Sequence, residues 1–151
     1  MAKVMDRSAA VNTALNQQVA NFGVMYIKLH NFHWYVKGSQ FFTLHVKFEE
    51  LYNEITLHLD ALAERMLTLG GKPVATMQQM LKDSAIKEAA GNEKAEDMVR
   101  AIVEDFKTIS GQLQEGMDLA EKAGDETTGD LFLAIQGSLD KHTWMLNSFL
   151  G

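Results

Sequence analysis

Four long stretches of this chain repeat apolar residues every three or four positions, and glycine marks the breaks between them. The pattern is cleanest from Phe41 to Leu69, where Phe41, Leu44, Phe48, Leu51, Ile55, Leu59, Leu62 and Met66 advance by 3, 4, 3, 4, 4, 3 and 4. That spacing lines one face of an α-helix; it cannot line one face of a strand, whose side chains alternate with period two. Val11, Leu15, Phe22, Met25 and Leu29 keep the helical period from about Ser8 to Val36, with a polar miss at Gln18. Met98, Ile102, Phe106, Ile109, Leu113 and Met117 carry it from about Glu93 to Lys122, and Leu131, Ile135, Leu139, His142, Leu146 and Phe149 from Thr127 to Phe149. The expectation is an all-α four-helix bundle. Gly38 joins the first pair of helices and the Gly124 region the second, so each pair should be antiparallel. The middle connection, Gly70 to Asn92, is about 23 residues, too long for a bare turn. Its Met77, Met80 and Leu81 predict one short extra helix.

Length and composition narrow the class. At 151 residues the chain has room for one domain, residues 1–151. Net charge is −6, a poor basis for holding phosphate backbones. With no cysteine, disulfides, thiolate metal sites and a thiol nucleophile are excluded. No apolar stretch suits a membrane span and the first residues, through Lys3, Asp6 and Arg7, carry no secretory pattern. A cytoplasmic protein is expected.

The chemistry concentrates between His30 and Glu64, which hold four of the 5 histidines. His45 and Glu49 are four apart, as are Asp60 and Glu64, so each pair shares a helix face and could grip a metal with nitrogen and oxygen ligands. His45 and Asp60, however, are fifteen residues apart on one helix, ~22 Å. They cannot hold one ion within a single chain. If both pairs are ligands, each is half a site, and a two-fold partner with an antiparallel second helix would complete it twice over. His33 can join the His45 half because Gly38 turns the chain back. The Glu-x-x-His pattern of an in-bundle di-iron site is absent. His30 and His58 read as surface or interface residues, and His142, on the apolar stripe, as a core histidine. Asp118, Glu121, Asp125, Glu126 and Asp130 form an acidic corner that either caps a helix or lines a route for cations. Trp34, adjacent to His33, could intercept oxidising equivalents.

The run Asn31-Phe32-His33-Trp34-Tyr35-Val36-Lys37-Gly38, then Phe41-Phe42-Thr43-Leu44-His45 and Phe48-Glu49-Glu50-Leu51-Tyr52, resembles the signature of the Dps proteins (DNA-binding proteins from starved cells), the mini-ferritins. The similarity continues through Asp60-Ala61-Leu62-Ala63-Glu64-Arg65 and Leu69-Gly70-Gly71 and returns at Asp140-Lys141-His142-Thr143-Trp144-Met145. It implies a ferritin-like four-helix bundle with a short helix in the connection between helices two and three, assembled as a hollow homo-dodecamer. It also implies a ferroxidase: iron, Fe(II) going to Fe(III), oxidised at a di-iron site shared between two chains, preferably by hydrogen peroxide rather than dioxygen, and stored as ferric oxyhydroxide. By the same resemblance His33 and His45 come from one chain and Asp60 and Glu64 from its partner, with Glu49 at the second iron position. Trp34 and Trp144 would take part in radical-quenching electron transfer. Glu121, Glu126 and Asp130 would line the pore that admits iron, and Glu50 and Glu54 would face the cavity. DNA-binding members often carry a Lys/Arg-rich tail. None is read here, and twelve chains would carry about −72 in all, so DNA binding is expected to be weak or absent. A nucleoid-binding, DNA-protecting protein is the alternative.

Overall fold

A computed structural model describes the backbone of residues 2–151 and the side chains from Ser8 onward. The side chains of Lys3, Asp6 and Arg7 therefore lie outside the described residues. The chain forms five helices: α1 (Ala2–Tyr35), α2 (Phe41–Thr68), α3 (Met77–Asp83), α4 (Ala95–Ala123) and α5 (Glu126–Leu150). Helix α1 begins six residues before the expected Ser8. Ala2, Lys3, Met5 and Arg7 are good helix formers and neither Gly nor Pro interrupts them, so the backbone can continue the helix ahead of the apolar period that starts at Val11. The other ends fall within two residues of expectation.

Helix α1 packs on α2 and α4, α4 packs on α5, and α2 meets α5 more lightly. The apolar stripes close on one core that includes Phe22, Phe32, Phe48, Phe106 and Phe132, each fully buried. Gly124 caps α4 at φ 71°, a left-handed conformation that costs glycine little and other residues much. Asp125 then caps α5, its carboxylate accepting from the Thr128 N–H at 3.0 Å.

The long connection between α2 and α4 is tied down by side chains of α1, which meet backbone groups that no helix satisfies. Asn16 accepts from the Val74 N–H at 2.9 Å and Asn21 from the Ala85 N–H at 2.9 Å, while Gln17 donates to the Asp83 carbonyl at 2.9 Å. This explains the polar miss at Gln18. Gln18 and Asn21 are buried and both donate to Gln112 of α4, completing a polar layer inside the bundle. Gly23 has no side chain because Met80 of α3 fills that space.

Candidate metal centre

The turn around Gly38 returns the chain so that the last turn of α1 faces the start of α2. His33 and His45 consequently stack face to face, ring centroids 3.7 Å apart and planes 14° from parallel. Each ring donates through Nδ1 to the other's backbone: His33 to the His45 carbonyl at 2.6 Å, His45 to the His33 carbonyl at 2.8 Å. A carbonyl can only accept, so Nδ1 carries the hydrogen on both rings and Nε2 is the nitrogen left for a ligand. Metal-binding imidazoles are oriented in this way, by a backbone acceptor on the nitrogen that does not coordinate. Aromatic rings hold the pair: Phe41 stacks on His45 at 4.9 Å, and Tyr52 sets its edge against His33 at 5.3 Å and 90°.

The carboxylates sit differently. Glu49, one turn beyond His45, is exposed, as are Asp60 and Glu64 far along α2. None of the ion pairs among the described residues engages them. Among the described residues no group of three or more His, Cys, Asp or Glu converges to hold a metal. One chain therefore presents two separate half-sets: two oriented imidazoles at one end of α2 and two unengaged carboxylates toward the other.

Near the C-terminal end of α2, Arg65 points inward. It donates to Asp125 at 2.9 Å and to the Thr128 hydroxyl at 3.0 Å. Burial disfavours the Asp125 charge, but the hydrogen bonds from Thr128 and the Arg65 guanidinium outweigh it and hold the carboxyl below its ordinary range. Asp125 is thus a cap and an ion-pair partner, while Glu121, Glu126 and Asp130 are exposed around the α4–α5 turn.

Glu54 is half-buried between α2 and α5, where Ser138 donates to it at 2.9 Å, His142 at 3.0 Å and His58 at 3.3 Å. Burial pushes its carboxyl up, but the hydrogen bonds and charges of this cluster bring it below the ordinary value. Burial holds the His58 imidazole below its ordinary value, against the pull of Glu54. His142 faces inward, as its place on the stripe suggests, and bonds through Nε2, while its Nδ1 is buried without a partner among the described residues. His58 is its counterpart rather than a surface residue. Glu50 is exposed and pairs with Lys47 at 3.3 Å.

Trp34 and Trp144 are each 65% exposed. Trp34 makes its ring contact with His30, at 5.2 Å. His30 in turn stacks on Tyr52 at 3.7 Å. Tyr52 lies in the aromatic-rich stretch of the sequence around the histidines, seven residues beyond His45, where it reads as a packing residue; its ring contacts with His30 and His33 of α1 come from the packing of the two helices.

The ferritin-like domain family matches residues 12–151. General stress protein 20U of Bacillus subtilis is 60% identical over 91% of this chain and 95% of its own length. DNA protection during starvation protein 2 of Bacillus anthracis is 57% identical over 90% and 93%. The chain belongs to the Dps family. A Dps protein from Vibrio cholerae O1, described as a member of a broad superfamily of ferritin-like diiron-carboxylate proteins, superposes with a TM-score of 0.93 at 35% identity, covering 97% of this chain and 92% of that one. The four-helix Dps bundle with its short extra helix is therefore the fold. Iron is the metal that this superfamily implies. The donors present suit it, since imidazole and carboxylate together accommodate iron in both oxidation states. Among the described residues no helix is long and apolar enough to cross a membrane.

Proposed function

We propose that this Dps chain is a ferroxidase that takes Fe(II) as substrate, oxidises it preferably with hydrogen peroxide, and stores the product as ferric oxyhydroxide inside a dodecameric shell in the cytoplasm. The observation that carries the reading is the His33–His45 pair, whose reciprocal Nδ1–carbonyl hydrogen bonds leave both Nε2 atoms for a ligand. Asp60 and Glu64 of a two-fold partner would complete each site, with Glu49 at the second iron position. Two irons supply the two electrons that peroxide needs: the O–O bond breaks, two Fe(III) and two hydroxides form, and no hydroxyl radical is released. Trp34 and Trp144 would take up stray oxidising equivalents. Glu121, Glu126 and Asp130, exposed on one turn, would form the acidic lining through which Fe(II) enters.

Anaerobic loading with two Fe(II) per site, followed by one peroxide per site, tests the proposal. Oxidation far faster than in a protein-free control, lost when His33→Ala and His45→Ala are combined, is the expected result. An unchanged rate in that double variant would remove the site assignment. A DNA-protecting role, for which the Bacillus anthracis relative is named, is the second reading. The net charge of −6 per chain opposes it. Retardation of duplex DNA that survives ~150 mM salt would reverse that judgement.

A further inference from the structure

The ring nearest the imidazole pair, apart from the stacked Phe41, is not the tryptophan beside it in sequence. Successive residues of a helix point about 100° apart, so Trp34 turns away from His33 and lies largely exposed. Tyr52, arriving from α2, meets the His33 ring edge-on at 5.3 Å and stacks on His30 at 3.7 Å with planes 18° apart. His30 is fixed there by donating Nδ1 to the Tyr26 carbonyl at 2.7 Å, and it also contacts Trp34 at 5.2 Å. The contacts therefore run in one order: His33, Tyr52, His30, Trp34. Among the described residues, the ring contacts connect Trp34 to the imidazole pair through His30 and Tyr52. The half-buried Tyr52 is also the first oxidisable side chain on that route, in a chain with no cysteine to compete. Tyrosine and tryptophan are the residues that yield single electrons, whereas methionine is oxidised by oxygen transfer.

We infer that Tyr52 is the side chain that supplies the second electron to hydrogen peroxide when only one iron occupies the site. This rests on the ferroxidase reading above. Peroxide accepts two electrons. With one iron bound, one electron comes from Fe(II) and the other from the Tyr52 phenol as the O–O bond breaks. The phenolic proton joins one of the two hydroxides to make water, and the other leaves as hydroxide. The products are Fe(III), a neutral tyrosyl radical, one water and one hydroxide, so no hydroxyl radical escapes. His30 holds the ring in place and connects it to Trp34, through which the radical can pass outward.

The test is rapid freeze-quench electron paramagnetic resonance on the assembled protein, loaded with one Fe(II) per site and mixed with peroxide, alongside spin trapping of hydroxyl radical. The wild type is expected to give a tyrosyl signal at one iron per site and much less at two. The chain has 3 tyrosines, so single replacements assign it. Tyr52→Phe keeps the stacked ring and removes only the hydroxyl. It is expected to abolish the tyrosyl signal and raise the trapped hydroxyl adduct several-fold, while the exposed Tyr35→Phe leaves both unchanged. A tyrosyl signal and adduct yield that are the same in Tyr52→Phe as in wild type would overturn the inference. So would a wild type giving only a tryptophan radical from the earliest quench times. If wild-type iron oxidation is no faster than the protein-free control, the ferroxidase reading itself fails and takes this inference with it. That outcome is distinguishable because it appears in the rate, not in the radical.

Discussion

Replacing Asp125 by alanine is expected to destabilise the protein by about 3 kcal/mol. Two losses contribute. Asp125 caps α5 by accepting from the Thr128 N–H at 3.0 Å, and a cap of this kind is worth ~1 kcal/mol. It also accepts from the Arg65 guanidinium at 2.9 Å, both side chains being less than one-fifth exposed. A charge-assisted hydrogen bond of this sort is worth ~1.5–3 kcal/mol, and its loss leaves a largely buried guanidinium without its anion. For a chain of this size each kcal/mol moves the melting temperature by roughly 2–4 °C, so a fall of about 6–12 °C is expected. Thermal unfolding at fixed protein concentration reads this directly, since assembly makes the melting temperature concentration-dependent. Asp125→Asn keeps a good capping residue and should lose about 1 kcal/mol less than the alanine variant. Acid supplies a second check. The folded-state value of Asp125 lies below the ordinary 3.8, so its stabilisation is present above that ordinary value and is lost as pH falls through the lowered one. The gap between wild type and Asp125→Asn should therefore persist at neutral pH and close only in strong acid. An alanine variant within ~0.5 kcal/mol of wild type would refute the reasoning, because that is the range of surface substitutions that touch nothing.

Three further outcomes are expected. A chain lacking His33 and His45 and a chain lacking Asp60 and Glu64 should each be slowed by ~10-fold or more. Shells assembled from a mixture of the two should regain part of the rate, since every mixed pair carries one intact site; no recovery in verified mixed shells would sink the shared centre. Stability should decline as pH falls below the ordinary histidine value of 6.5. His58 is held lower in the fold and Glu54 likewise, so the unfolded chain binds more protons than the native one in acid. Denaturant titration from pH 7.5 to 5 checks the sign, and rising stability over that interval would contradict it. Gly116→Ala would place a Cβ 2.8 Å from the Phe132 ring. Overpacking of ~1–3 kcal/mol should exceed the ~1 kcal/mol gained in helix propensity, giving a net loss in calorimetry; a stabilised variant would show that Phe132 moves aside freely.

Much of this was legible in the linear pattern, for a physical reason. Helical side chains repeat every 3.6 residues, so the apolar spacing alone placed the four long helices, and the methionines of the long connection placed α3. The distance from His45 to Asp60 needs only the rise per residue, and it already separated the two half-sets along α2. The early start of α1 escaped because the apolar period that marks the helix in the sequence begins only at Val11. Other features belong to contacts between helices, which one-dimensional spacing does not encode. Only the packing of α1 against α2 turned two histidines twelve residues apart into a stacked pair, each hydrogen-bonded to the other's backbone. The α2–α5 contact likewise drew Glu54, His58 and His142 into one inward cluster, though two of the three had read as outward-facing. Adjacency suggested Trp34 as the ring beside His33, but Tyr52 is the one that touches it, since neighbours on a helix diverge while residues from facing helices converge. Residue types and their periods determined the helices and the candidate ligands; the tertiary structure decided which of those side chains meet.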